Sequence, residues 1–377
     1  MRRRRVVAVA LKELLQVWRD PRSLMLALLM PVIQMMLLGF GANLDVAHIP
    51  TCTLDQEGSP FSEDLLKRFQ ASRYFDIVRV LRGTGDIARA MDRGECRLAV
   101  VVPAGFSRQL AGARQASVQV ILDATDANTA SLAAGYARAV VGGFAADVQL
   151  EVAQRAGLAA LPQPVAANAR VWFNEQLESR NFIIPGVVAL VLALVGAQLT
   201  SLTVSREWER GTMELLLSTP VTRTELMVGK LLPYFLIGLL DAAICLGFAL
   251  LVFKVPFRGS YATLLLAVAL FLAVVLSIGY LVSVSIRSQI GASQIALFLT
   301  VMPISLLSGF AFPIDQMPPV IQGLTYVVYA RYFVTTLKAV FLKGSGVAAL
   351  WPQLLALAAY AAVVTALAAR AFRKRLP

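Results

Sequence analysis

The chain has 377 residues, 58% of them hydrophobic and only 15% charged, with a formal net charge of +12. Soluble domains carry about 45–50% apolar and about 25% charged residues, so this balance excludes a purely soluble protein and points to several membrane spans. One histidine excludes a multi-histidine metal centre, and with no basic–aromatic patch the positive charge does not imply a nucleic-acid partner.

The chain opens on MRRRR, but an amphipathic segment follows and no small-residue cleavage site ends the first apolar run. The N-terminus is therefore expected to be retained and cytoplasmic. Val6, Val7, Ala10, Leu11, Leu14, Val17 and Trp18 fall on one helical face. With Arg2, Arg3, Arg4 and Arg5 they predict an interface helix over 1–22, separated from the first span by Asp20-Pro21.

A span needs about 20 mostly apolar residues. Six stretches qualify: 23–42, 182–203, 226–253, 261–284, 290–312 and 348–372. Lys and Arg mark the cytoplasmic flanks of spans. Arg19 and Arg22 precede the first span, Arg206, Arg210, Arg223 and Lys230 follow the second, Arg287 follows the fourth, and Arg370, Arg373, Lys374 and Arg375 surround the end of the last. All fall on one side if six spans alternate, so both termini are expected in the cytoplasm. Residues 45–181, between the first two spans, are then extracytoplasmic.

The expected fold is thus an α-helical polytopic membrane protein with six transmembrane helices and an inserted α/β extracytoplasmic domain between the first and second. The domain pattern predicts strands at 49–55, 74–81, 98–102, 118–122 and 171–174, and helices at 61–71, 86–93 and 127–156. Asp123 and Asp126 read as loop and cap acids, and no nucleophile–base pair stands out. Cys52 and Cys96 share this region; their spacing does not demand a bridge, and one forms only in an oxidising compartment. Cys245 lies inside an apolar run and reads as packing.

Between the second and third spans stands SREWERGTMELLLSTPVTRTELMVGK. Thr212 is placed to cap a short helix over MELLL, Pro220 to stop it, and Thr222-x-x-Glu225 reads as a capping box for the next helix. The result is a short amphipathic helix at the membrane surface; an ordinary well-capped loop is the plainer alternative. Residues 313–346 are too polar and Pro-rich to span.

Three segments carry a family resemblance: the stretch just quoted, LLSGFAFPIDQMPPVIQGLTYVVYARYFVTTLKAVFLK at 306–343, and LKELLQVWRDPRSLMLALLMPVIQMMLLGFG at 11–41. They resemble type 2 ABC-transporter permeases, in particular inner-membrane multidrug or antibiotic exporters with a large periplasmic domain. The resemblance covers essentially the whole chain. It implies that 205–225 is a coupling helix docking on a separate ATP-binding subunit, and that 313–346 holds outer re-entrant helices. The positions matching the coupling motif are Arg206, Glu207, Glu209, Arg210, Gly211, Thr212, Glu214, Leu217, Thr219 and Pro220. Tyr329 departs from the family pattern, where many relatives carry Pro.

The chain lacks G-x-x-x-x-G-K-[ST], so it is not expected to be an enzyme; ATP and Mg belong to the partner. The family implies a dimer with a second copy or sister permease, two ATPase subunits, contact with membrane lipid and a periplasmic adaptor as a further partner. Polar residues inside spans are path candidates: Gln198, Thr200, Gln294, Thr300 and Ser305, with helix–helix hydrogen bonds as the alternative. Asp241 is the one carboxylate near a span centre, a position costing about 2.5–3.5 kcal/mol. It opens a different possibility, a proton-coupled carrier; a non-transporting receptor is a third. The expected function is export of a hydrophobic or cationic small molecule across the bacterial inner membrane.

Overall fold

The computed structural model describes residues 3–41, 48–111, 116–125, 127–155 and 178–372. Two compact units separate: 45–170, and the remainder formed by 1–44 with 171–377.

In the larger unit, α1 (Arg3–Arg19) and α2 (Pro21–Gly41) meet at Asp20-Pro21, where the Asp20 N–H still reaches the Val17 carbonyl at 3.3 Å. The expected apolar face of α1 divides. Val17 is buried together with Glu13, whereas Val7, Leu11, Leu14 and Trp18 are exposed.

The smaller unit follows as β1 (Ile49–Asp55), α3 (Pro60–Ala71), β2 (Phe75–Val80), α4 (Thr84–Asp92), β3 (Leu98–Val102), α5 (Phe106–Ala111), β4 (Gln119–Leu122) and α6 (Ala127–Arg155). Its sheet runs β2-β1-β3-β4, parallel except for the antiparallel β3–β4 pair. Strand period 2 sorts the all-apolar β3 onto two faces. Leu98, Val100 and Val102 join Phe69, Phe75, Phe106 and Phe144 in one core; Ala99 and Val101 join Leu54, Ile87 and Ala90 in the other. Burial on both faces explains why LAVVV shows no alternation. Ser59 caps α3 through a reciprocal box with Ser62, and Pro60 occupies the first helical turn. Cys52 and Cys96 are joined by a disulfide, their Cα atoms 5.7 Å apart. Asp123 accepts the Thr125 N–H at 3.0 Å, a loop role; Asp126 and the strand expected at 171–174 lie outside the described residues.

The larger unit resumes with α7 (Ser179–Glu209), α8 (Met213–Ser218), α9 (Arg223–Gly247), α10 (Tyr261–Ser285), α11 (Gln289–Leu307), α12 (Pro319–Thr325), α13 (Tyr329–Lys338) and α14 (Val347–Ala371). Helix α7 is sheathed almost throughout, and Val187, Val188, Val191 and Val195 share one core with Phe271, Val275, Phe333 and Leu337. Among the described residues five helices, not the six expected, are long and apolar enough to cross a membrane: α7, α9 with its π-helical end at Val252, α10, α11 and α14. The expected first span falls short because the apolar part of α2 is only Ala27–Gly41. The fifth expected span is shorter than 290–312, because α11 ends at Leu307 and Gly309 takes a φ of +77°. Short helices fill the Pro-rich segment, as expected of a stretch that does not span. Tyr329 is the first residue of α13, a position that tolerates proline.

Candidate functional site: the charged connection and its buried base

Helix α7 carries its polar end out of the apolar core and stops at Arg210. Gly211 then turns the chain with a φ of +69°, a conformation glycine adopts without steric cost. Helix α8 follows and ends where Thr219, preceding Pro220, becomes extended. The Thr222–Glu225 capping box forms: the Thr222 hydroxyl accepts the Glu225 N–H at 3.3 Å, and Glu225 Oε2 accepts the Thr222 N–H at 3.0 Å. Thr212 behaves differently from the expected cap. Its backbone is helical, its hydroxyl makes no capping bond, and it bonds the Glu207 carboxylate instead. A capping residue has an extended backbone that aims its oxygen at the N–H groups of the first turn; Thr212 is helical, so its hydroxyl is left to donate to Glu207.

Beneath this segment lies a sealed charge cluster. Lys230 of α9 is 1% exposed, Glu13 of α1 is 1% and Glu207 of α7 is 4%. Lys230 Nζ donates to Glu13 Oε1 at 2.6 Å, to the Thr203 carbonyl at 3.1 Å and to Glu207 Oε1 at 3.4 Å. Tyr234 Oη donates to Glu13 Oε2 at 3.4 Å, and Lys12 also bonds Glu207. The exposed Lys12 adds a second cation from outside, so each buried carboxylate has a positive partner, and further hydrogen bonds satisfy them. Helix α1 approaches this closely because residue 229 is glycine. A Cβ there would meet Val9 Cβ at 2.8 Å and the Val6 carbonyl at 3.1 Å.

Helix α1 also brackets the connection. Arg5 donates to the Pro220 carbonyl and pairs with Glu225 at 3.8 Å, while Asp20 pairs with Arg206 at 3.4 Å. Glu209 faces another way: its Oε1 accepts the Gln289 N–H at 2.6 Å at the start of α11, and the Gln289 amide bonds Oε2. These hydrogen bonds hold the Glu209 carboxyl group at the head of α11, where a negative charge suits the helix dipole. Arg287 lies 4.7 Å over the Trp208 ring.

The ten coupling candidates therefore separate by role. Arg206 and Glu207 point into the protein, and Glu209 ties α7 to α11. Arg210, Gly211, Thr212, Glu214 and Pro220 are exposed, Thr219 is half-buried, and the Leu217 side chain lies outside the described part. Met213 anchors α8 in an apolar cluster with Val204, Leu226 and Tyr280, while Leu215 projects outward at 73% exposure. Glu13, Lys12, Asp20, Lys230 and Tyr234 were not singled out from the sequence as site residues. The available signal was Glu13 on the same helical stripe as Val6, Val9 and Val17, and a lysine inside the apolar run of α9, which demands a partner.

The path candidates do not gather in one place. Thr200 and Thr300 are buried and donate to carbonyls of their own helices, Gly196 at 2.8 Å and Ala296 at 2.6 Å. Gln198 Oε1 accepts from Ser293 at 2.6 Å, joining α7 to α11. Gln294 is exposed and Ser305 half-buried on α11. Asp241 is buried in α9, and its Oδ1 has no hydrogen-bond partner among the described residues.

Comparison with known proteins places this geometry. Residues 21–370 match the family described as "ABC-2 family transporter protein". The chain is 39% identical over 343 residues to the probable multidrug ABC transporter permease YbhS of Escherichia coli K12, covering 91% of this chain and 89% of that one. It is 29% identical over 367 residues to the probable multidrug ABC transporter permease YbhR of the same organism, covering 97% of each. It is also 29% identical to the inner membrane transport permease YhhJ of E. coli K12, over 89% of this chain and 87% of that relative. The chain belongs to the ABC-2 family of transporter proteins and is a membrane-embedded, multi-span permease.

Proposed function

We propose that this protein is the membrane subunit of an ATP-driven exporter whose α8 is the coupling helix, seated on a separate ATPase. The observation that carries this reading is mechanical. Leu215 projects from a short helix whose base is pinned at both ends, by Arg5 at Pro220 and by Glu207 at Thr212. A push on α8 reaches α1 and α9 through the buried Lys230 cluster and α11 through Glu209–Gln289. Two copies, or this chain and a sister permease, work with two ATPase subunits, which bind the ATP and Mg. Helix α2 supplies the sixth span, and the termini lie in the bacterial cytoplasm. The smaller unit stands in the periplasm, where its Cys52–Cys96 disulfide suits an oxidising compartment and where it meets an adaptor. The cargo is a hydrophobic or cationic small molecule; the word multidrug in the names of YbhS and YbhR supports a drug, without specifying its chemistry. The proton-coupled alternative built on Asp241 draws no support from YbhS and YbhR, both named as probable multidrug ABC transporter permeases.

The test is co-purification. Tagged protein in mild detergent is expected to retain a stoichiometric P-loop ATPase, and Leu215→Asp to lose it while the melting temperature stays unchanged. Wild type without an ATPase, or Leu215→Asp retaining it in full, overturns the assignment of α8.

A further inference from the structure

Between α1 and α8 lies a cavity of about 360 Å³. Its lining includes three cations, Lys12, Arg206 and Arg210, with the Gln16 amide, the Thr212 hydroxyl and a Leu216 wall. One carboxylate, Glu207, joins them, and it is already engaged by Lys230, Lys12 and Thr212. Arg206 is buried against Asp20. Arg210 makes no ion pair among the described residues, so the cavity keeps an unanswered positive charge.

Apolar side chains adjoin these polar ones: exposed Leu215 is itself part of the lining, and on α1 the exposed Leu11 and Leu15 precede Lys12 and Gln16, with exposed Trp18 three residues after Leu15. A cationic hollow bordered by exposed apolar side chains matches an anion with a greasy tail. Basic pockets on the cytoplasmic face of membrane helices hold anionic headgroups, and a helix like α1 lies at headgroup depth. We propose that this cavity seats the phosphate headgroup of an anionic phospholipid of the cytoplasmic leaflet. The acyl chains run along Leu11, Leu15 and Trp18. The site rests on the reading that this end of the molecule faces the cytoplasm. A lipid wedged there fixes the spacing of α1 and α8, so the supply of anionic lipid sets how firmly the coupling helix is held.

The test uses the full chain without any ATPase, so its failure is separate from failure of the exporter reading. Delipidated protein is exposed to equimolar phosphatidylglycerol and phosphatidylcholine of matched chains, and bound lipids are counted by native mass spectrometry. One phosphatidylglycerol per chain is expected to outlast phosphatidylcholine. Arg210→Gln is expected to weaken it roughly fivefold, the loss of one basic contact at an anionic surface. Arg19→Gln, on an exposed stretch of α1 outside the cavity, is expected to leave it intact. Equal loss in both variants, or no preference between the lipids, means diffuse interfacial charge and overturns the site. Inorganic phosphate displacing the lipid at equal concentration marks a free-anion site and overturns the lipid assignment.

Discussion

Glu13 and Lys230 stand 217 residues apart in the chain and meet at 2.6 Å with both side chains sealed from solvent. The pair joins α1 to the N-terminal part of α9. Glu207 completes the cage, so three segments with no sequence proximity share one ammonium group.

Removing that ammonium leaves two buried carboxylates without their common cation. Lys230→Met is expected to lower stability by about 3–5 kcal/mol, the typical result of stripping one partner from a buried pair. Neutralising all three, Lys230→Met with Glu13→Gln and Glu207→Gln, is expected to recover most of the loss, because no uncompensated charge remains. Thermal unfolding of wild type and the two variants in detergent checks both expectations. A single variant as stable as wild type would show that the cluster carries no structural weight.

Close approach of α1 depends on Gly229. Gly229→Val is expected to cost about 1–3 kcal/mol through overpacking against Val9. It is also expected to expose Arg3, Arg4 and Arg5 to trypsin faster than in wild type, since the same helix surface holds Arg5 at Pro220. Adding Val9→Gly relieves the contact with Val9 and should restore part of the protection; unchanged cleavage in Gly229→Val would sink the packing account.

The disulfide closes a separation of 44 residues. By the loop-entropy estimate it contributes about 4 kcal/mol. Replacing Cys52 and Cys96 together by serine, followed by hydrogen exchange across β1 and β3, is expected to show protection falling in the smaller unit. In the larger unit it stays as it was.

Acid sensitivity is expected at the end of β1. Burial pushes the Asp55 carboxyl up, but hydrogen bonds from the Gly58 N–H, the Ser62 hydroxyl and the Glu57 N–H outweigh it and hold it below the ordinary carboxylate value. A depressed value in the folded state contributes stability that is present above the unfolded pKa, about 3.9, and lost as pH falls through the folded one. Acid titration of the Ile49 and Ile87 methyl signals should therefore show the smaller unit failing only below about pH 4. Asp55→Asn is less stable at neutral pH and shows a flatter acid limb. An acid limb as steep as wild type would place the titrating group elsewhere.

Much of the fold was legible before any coordinates. Strand 49–55 and the buried run 98–102 coincide with β1 and β3, because two-residue and fully apolar patterns are local signals. The stop at Pro220 and the Thr222–Glu225 box were equally local, since each involves residues within one helical turn. Thr212 was misread for an instructive reason. Its residue type suits a cap, yet the turn at Gly211 leaves its backbone helical, so its hydroxyl does not reach the first N–H groups of α8 and donates to Glu207 instead.

Sequence alone determined where most of the apolar helices lie, that an α/β segment interrupts them, and that a charged connection with a short helix joins two of them. These follow from periodicity and turn chemistry, which act over a few residues. Only the tertiary structure decided that Cys52 bonds Cys96, that Glu13 of α1 turns inward, and that Lys230 is shared by Glu13 and Glu207. Such partners are chosen by how closely helix axes approach, here by the missing side chain at Gly229, and no local pattern encodes that distance.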